Sequence, residues 1–370
     1  RSTQAKTLFY TTLFRSDLNQ PVCVKQAQRV LVLAPHLTEI VAFVGGLNRV
    51  IAVDGSSNYP ESVNALPKLG NPWMLNVETI LARKPDLVLV IGDRGEMLAA
   101  AIAAIHLGIP VVHLHGGERS GTVDEPVRHA ITKLSHWHFV ATEESRERVI
   151  RMGERPEHVH ITGAPSLDDL DGPAATPRAE VLQSLGLPPE ARYALVLFHP
   201  VVQEIASLHE QTRALAEALA QTLPGRASHI VWLAPNADAG SAEILRGLEE
   251  GGAGLPVVRL THLPRPRFVA ATRQALALVG NSSAGIIEAA TFHTPVLNVG
   301  DRQRLREHGG NVLDVPAEAD AMRAGLAALR GQPGGPWDNP YGDGRAGERI
   351  AALLASLPLD ATLLEKTNRY

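Results

Sequence analysis

Ionisable side chains gather where the chain leaves short apolar runs, and their types suit acid–base chemistry on a charged small molecule. Asp93 and Arg94 follow the run at 86–91, and His115, Glu118, Asp124 and Arg128 follow the run at 110–114. His199 stands between the run at 193–198 and Pro200. A histidine there titrates near neutrality and can shuttle protons, with a purely structural role as the competing reading. Asp124, four residues before Arg128, reads more readily as one half of a helix-surface ion pair. Gly280-Asn281-Ser282-Ser283 opens a helix that carries Glu288. Small residues, free amides and a helix dipole make a phosphate seat, unless Ser282 or Ser283 only caps the helix.

His113, His115, His129, His136 and His138 invite a metal reading. The chain has 1 cysteine, Cys23, and no His-Glu-x-x-His spacing, so neither a metal nor a cofactor is expected.

These residues need strands and helices to hold them. Short apolar runs at 30–34, 50–53, 86–91, 110–114 and 137–141 alternate with helices from Pro35 to about Gly45, at 77–83, at 96–107 and from Val127. Apolar runs with few polar interruptions mark strands covered on both faces, so right-handed βαβ units and a parallel sheet are expected. Gly172-Pro173 to Pro177 reads as a hinge. A second alternation follows, with strands at 193–198, 229–233, 257–260, 275–279 and 295–298 and helices at 205–221, 284–291 and 345–356. The expectation is an α/β protein of two Rossmann-like, doubly wound lobes with a central cleft, at 28–171 and 178–356, where open sheets bind ligands. Residues 1–27 fit no element and read as a tail or cloning scar, and 357–370 as a loosely held tail.

Length and composition fit this plan. The chain has 370 residues, 45% hydrophobic and 20% charged, enough for two ordinary cores. A formal charge of −4 argues against a nucleic-acid binder that relies on a net positive field. No run approaches the roughly 20 apolar residues that span a bilayer, so no membrane partner is expected. The cytosol is the expected location, given one cysteine and no apolar stretch of signal-peptide type in 1–17.

Several phrases carry a resemblance. Lys84-Pro85-Asp86 through Ala101, His113-Leu114-His115-Gly116-Gly117-Glu118, Gly121-Thr122-Val123-Asp124-Glu125 and Arg128 to His136 resemble UDP-N-acetylglucosamine 2-epimerases of the hydrolysing, sialic-acid type. So do Phe198-His199-Pro200-Val201, Pro235 to Ser241, Gly280 to Ser283, Gly300-Asp301-Arg302-Gln303 and Asn339 to Gly344, in order over residues 86–355. The resemblance implies a glycosyltransferase-B-like fold with the nucleotide held mainly by the second lobe. It implies that Ser282 and Ser283 hold the diphosphate, that Glu288 accepts from the ribose hydroxyls, and that Asn236 and Ser241 line the nucleotide side. Asp93, Glu118, Asp124, Arg128 and His199 would surround the sugar, with Arg94 and His115 as further substrate contacts. The implied reaction abstracts the C2 proton of UDP-N-acetylglucosamine, eliminates UDP and adds water to give N-acetylmannosamine. Asp93 or Asp124 is the candidate base and His199 the candidate acid, with Arg128 orienting a carboxylate or steadying charge. A related diamino-sugar nucleotide is the alternative substrate, and a homodimer or homotetramer is the expected assembly.

The first ~85 residues depart from that family. Ala34-Pro35-His36-Leu37-Thr38-Glu39, Asp54 to Pro60, Leu66 to Gly70 and Asn76 to Leu81 resemble cobalamin and iron-chelate binding proteins of importers. This implies that a periplasmic-binding-protein-like half-lobe at 28–85 partly replaces the first lobe, with a junction at Lys84–Val90. No arginine follows the first strand, so one phosphate contact worth about 1.5–3 kcal/mol is missing. The competing readings are a transport module and a UDP-binding chimera without turnover.

Overall fold

The structure is a computed structural model, and it describes residues 29–369 except 34, 44–45, 70–83, 223–228, 236–238, 253, 330–334 and 360. The 1–27 tail with Cys23, the expected 77–83 helix and Asn236 lie outside the described residues. The described chain forms two units. One gathers the residues up to Glu118, Asp124–Asp168 and those from Tyr341 on; the other holds Arg119–Val123 and Asp169–Pro340.

In the first unit six parallel strands lie in the order β2-β1-β3-β4-β5-β6. They are β1 (Val30–Val32), β2 (Val50–Val53), β3 (Leu87–Ile91), β4 (Val111–Leu114), β5 (Trp137–Val140) and β6 (Val159–Ile161). Side chains alternate between two cores, as the period-2 geometry of a strand requires. Leu87, Leu89, Val112, Leu114 and Phe139 face one core, while Val88, Val90 and Val111 face the other with Met97, Ala101 and Ile131. The helices Gly95–His106 and Asp124–Leu134 supply that second core.

The first core is closed by a segment that was expected elsewhere. The Ala346–Ser356 helix belongs to this unit, not to the 178–356 lobe, and buries Ala346 and Ile350 beside the Pro35–Phe43 helix. The tail after it is not loosely held. Leu357, Leu359 and Leu363 are buried in the same core, and the Arg369 N–H donates to the Gly153 carbonyl at 3.0 Å. Each such aliphatic burial is worth about 1.5–3 kcal/mol, which explains why the segment returns.

The second unit repeats the plan with the parallel order β12-β11-β10-β7-β8-β9. These strands are β7 (Tyr193–Leu197), β8 (His229–Leu233), β9 (Val257–Leu260), β10 (Leu278–Gly280), β11 (Val296–Val299) and β12 (Val312–Val315). The boundary falls at Asp168/Asp169, ahead of the expected hinge, because 171–174 folds as a short helix within this unit. Strand order reverses between β1 and β3 in the first sheet and between β7 and β10 in the second. Such reversals leave a crevice at the carboxyl edge where neighbouring connections diverge.

Candidate functional site

In the first unit the site begins at the carboxyl ends of β3 and β4. His115 follows β4 with φ 59, in the left-handed region that a non-glycine residue enters at a cost on the order of 1 kcal/mol. Gly116 and Gly117 then press against neighbours that leave no room for side chains. A Cβ on Gly116 would meet His113 Nδ1 at 2.9 Å, and one on Gly117 would meet the Ser145 carbonyl oxygen at 2.5 Å. The tight turn brings Glu118 back onto His115, whose Nδ1–H donates to Glu118 Oε1 at 2.6 Å.

Arg128 joins this turn to β3. Its side chain is 1% exposed; Nη1 donates to the Glu118 carbonyl at 2.9 Å and Nη2 to Asp93 Oδ2. His113 holds the same loop from below. Its Nε2–H donates to the Gly92 carbonyl at 2.8 Å, and Nδ1 accepts from the Thr132 hydroxyl at 3.1 Å. Burial lowers the His113 pKa to about 3, so the ring stays neutral and its tautomer is fixed by these two bonds. Arg94 turns aside to Glu96, with Nε 2.8 Å from Oε1.

Asp124 occupies the first turn of the Asp124–Leu134 helix, which starts three residues before the expected Val127. Pro126 did not delay the helix, since a first-turn N–H needs no partner. Acidic Asp124 and Glu125 there complement the helix dipole. Arg128 is buried and reaches Asp93 and the Glu118 carbonyl, so it is not the exposed helix-surface arginine that the sequence suggested.

In the second unit the carboxyl ends of β7 and β10 are tied together. The His199 N–H donates to Asn281 Oδ1 at 2.7 Å, and Asn281 Nδ2 donates to the His199 carbonyl at 2.9 Å. Gly280 makes the approach possible: its φ is 134, and a Cβ would collide with the Leu197 carbonyl. Arg302 Nη1 and Gln303 Nε2 both donate to the Asn281 carbonyl, at 3.1 and 3.3 Å. Ser282 is the N-cap of Ser283–Ile287, and its hydroxyl accepts from the Ala284 N–H at 3.4 Å. That bond is too long to hold the hydroxyl firmly. The helix is shorter than expected, continuing as a 3-10 turn, Ala289–Phe292. The helix dipole at this edge is therefore small, and Arg302 brings a cation beside it.

Ser241 opens the Ser241–Gly251 helix, whose N-cap Gly240 lies beside the turn at Pro200. The structure thus gathers His199, Ser241, Ser282 and Ser283 at one edge of the second sheet. Glu288 is buried, and Arg265 Nη1 donates to its Oε2 at 2.7 Å. Burial raises the Glu288 pKa, against the pull of that guanidinium. The sequence reading missed Arg265. Its signal was an arginine at the first position of a helix, Arg265–Gln274, where the dipole disfavours a cation.

Both sheets, with their parallel order, define a two-lobed α/β fold of glycosyltransferase-B-like type. The structure of Neisseria meningitidis UDP-GlcNAc 2-epimerase bound to UDP-GlcNAc is similar, with a TM-score of 0.71 at 18% identity over 88% of this chain and 99% of that one. The S. aureus MnaA–UDP co-structure has a TM-score of 0.71 at 18% identity, covering 88% of this chain and 96% of that one. The chain matches the UDP-N-acetylglucosamine 2-epimerase family over residues 66–355, and it belongs to that family.

Two relatives refine the picture. A UDP-N,N'-diacetylbacillosamine 2-epimerase (hydrolyzing) of Legionella pneumophila is 43% identical over 356 residues, 96% of this chain and 92% of that one. The UDP-N-acetylglucosamine 2-epimerase of Neisseria meningitidis is 37% identical over 239 residues, 64% of this chain and 61% of that one. An importer origin for residues 28–85 gains no support. The Legionella relative aligns with nearly the whole chain, and the family match begins at residue 66, ahead of the expected junction. Among the described residues no helix is long and apolar enough to cross a membrane, and no group of metal-ligating side chains is found.

Proposed function

We propose that this chain is a hydrolysing UDP-sugar 2-epimerase and that its preferred substrate is UDP-N,N'-diacetylbacillosamine, with UDP-N-acetylglucosamine as the second reading. The substrate preference rests on the Legionella relative, which aligns with 96% of this chain, front included. The chemistry rests on one observation above all: just past β3, the Asp93 carboxylate is held by the buried Arg128, whose other bond fixes the Glu118 backbone carbonyl in the loop after β4.

In this reading Asp93 takes the C2 proton, Arg128 holds its carboxylate in place, and UDP departs from C1 to leave an unsaturated sugar. Water then adds across the double bond with the opposite configuration at C2. Glu118, Asp124 and His115 complete the sugar side, with Arg94 at its margin. His199 protonates or steadies the departing diphosphate. Ser282 and Ser283 hold the phosphates through loop amides, with Arg302 supplying a cation to the same edge. Glu288, kept in place by Arg265, accepts from the ribose, while Asn236 and Ser241 border the nucleotide. A cytosolic enzyme working as a homodimer or homotetramer fits such a substrate.

The test is to incubate the purified chain in D2O with each UDP-sugar, following UDP release and deuterium at C2 of the product. Release of UDP with C2 deuteration, faster for the diacetamido sugar, is expected. UDP binding with neither sugar consumed would leave a nucleotide-binding protein without turnover, and an absence of UDP binding would overturn the reading.

A further inference from the structure

We propose that His115, not Glu118, is the side chain that exchanges a proton with the sugar, and that Glu118 is its positioning partner. The inference rests on the 2-epimerase reading and assigns one of its two proton-transfer roles.

Three observations carry it. The Glu118 side chain is 4% exposed, and its Oε1 accepts from His115 Nδ1–H at 2.6 Å. Its backbone carbonyl is meanwhile held by Arg128 at 2.9 Å. With Oε1 committed to His115 and the side chain buried, Glu118 is less open to a ligand than the His115 ring. His115 has one nitrogen committed to Glu118 and a side chain 13% exposed, so the second nitrogen, Nε2, is the one a ligand can meet. A buried carboxylate that accepts from Nδ1–H fixes the tautomer and orients the ring, as in other histidine–carboxylate pairs. The third observation is the backbone of His115, whose φ of 59 holds the ring at the carboxyl edge of β4. Left-handed conformations at non-glycine residues cluster where function over-determines them.

The chemistry asks for such a second pair. Inverting C2 requires the proton to leave from one face of the sugar and return on the other, so two groups are needed. Asp93, held by Arg128, takes the first proton; the C2–H electron pair becomes the C1=C2 bond, and the C1–O pair leaves with UDP. In hydration the double-bond pair takes a proton from Nε2–H of the His115 imidazolium at C2. Water oxygen bonds to C1, and its surplus proton passes to solvent. Glu118 remains a carboxylate throughout, and His115 is reprotonated from solvent.

His115→Gln, His115→Ala and Glu118→Gln should be compared with the intact chain. His115→Asn serves as a further variant, since asparagine tolerates the left-handed backbone. Each is first checked for unchanged UDP affinity. The His115 variants should still release UDP but accumulate the unsaturated sugar, with final product slowed at least ~100-fold. Added imidazole should restore product formation by His115→Ala. Glu118→Gln should slow hydration by roughly 10–100-fold without imidazole rescue, the usual cost of losing an orienting partner. Product formation by His115→Asn above a tenth of the normal rate would overturn the assignment. So would a defect in Glu118→Gln deeper than that in His115→Gln, or loss of UDP release in the His115 variants. Failure of the intact chain to release UDP from either sugar would instead sink the epimerase reading itself.

Discussion

Asn281 grips the backbone of His199 from both sides, its Oδ1 accepting the His199 N–H at 2.7 Å and its Nδ2 donating to the His199 carbonyl at 2.9 Å. The amide spans the ends of β7 and β10, neighbouring strands at the point where strand order reverses. Beyond the β7–β10 ladder and the Asn281 N–H bond to the Leu197 carbonyl, it ties together the two loops there, one carrying His199 and the other Ser282.

Asn281→Ala should therefore lower stability by about 2 kcal/mol, since both His199 backbone groups lose a partner in a mostly buried setting. UDP affinity should fall with it, because the Ser282–Ser283 loop is the proposed phosphate seat. Denaturant melts and UDP titration check both effects. An unchanged UDP affinity would separate this clamp from nucleotide binding.

Arg128→Lys should cost turnover at least ~100-fold, because an ammonium cannot reproduce two divergent guanidinium bonds, one to Asp93 and one to the Glu118 carbonyl. Arg128→Met should cost about 3 kcal/mol in stability as well, by removing the buried cation that both groups engage. The measurement is UDP release alongside a denaturant midpoint. Turnover by Arg128→Lys close to that of the intact chain would remove Arg128 from the mechanism.

Much of this arrangement was legible in the sequence, and the failures have physical causes. Strands 50–53, 229–233 and 257–260 fall where the apolar runs placed them. β6 and β12 escaped notice because they are short edge strands of three and four residues, only partly buried, so no continuous apolar run marks them. The helix 345–356 was recognised within a residue, but its destination was not. An amphipathic pattern says that a face will be buried and leaves open which core receives it. Asp93, Arg128 and Glu118 were chosen as neighbours of strand ends, and they do meet. The His115–Glu118 bond was hidden, since it depends on a left-handed residue followed by two packed glycines. The front was misread for a related reason: phrases around a shared Lys-Pro-Asp-Leu-Val strand reflect common βα-unit physics as readily as common origin.

The C-terminal residues form a strap with its own ionic anchor. Lys366 Nζ lies 2.8 Å from Glu154 Oε2, which also accepts from His138 Nε2 at 3.0 Å, while Lys133 reaches Glu154 Oε1 and Asn368. Burial alone would push Glu154 up, but the bonds and charges of His138, Lys366 and Lys133 bring it down to about 2. Truncation after Leu364 should leave Glu154 and His138 with one cation fewer and open their surroundings to water. A loss of about 2–4 kcal/mol is expected, with the folded sheet retained by circular dichroism. A truncated chain as stable as the intact one would make the strap a passive tail.

Acid should unfold the first unit early, through histidines rather than carboxylates. Burial lowers His113 and His136 to about 3 and His138 to about 4, from an ordinary 6.5. In each case the folded form refuses a proton that the unfolded chain accepts, so between pH 6.5 and the folded value the unfolded state binds more protons. Stability from these groups is complete above pH 6.5 and is lost as pH falls toward 4 and 3. A depressed histidine loses about 1.4 kcal/mol per pH unit across that window, or roughly 2 kcal/mol each by pH 5. Glu154, lowered to about 2 from 4.5, adds a loss only below pH 4.5. Denaturant midpoints at pH 7.5, 6.0 and 5.0 should therefore fall progressively before any ordinary carboxylate titrates. A midpoint that stays level to pH 5 would mean that His113, His136 and His138 are solvated, and that the Gly92 and Glu154 contacts made by two of them do not hold in solution.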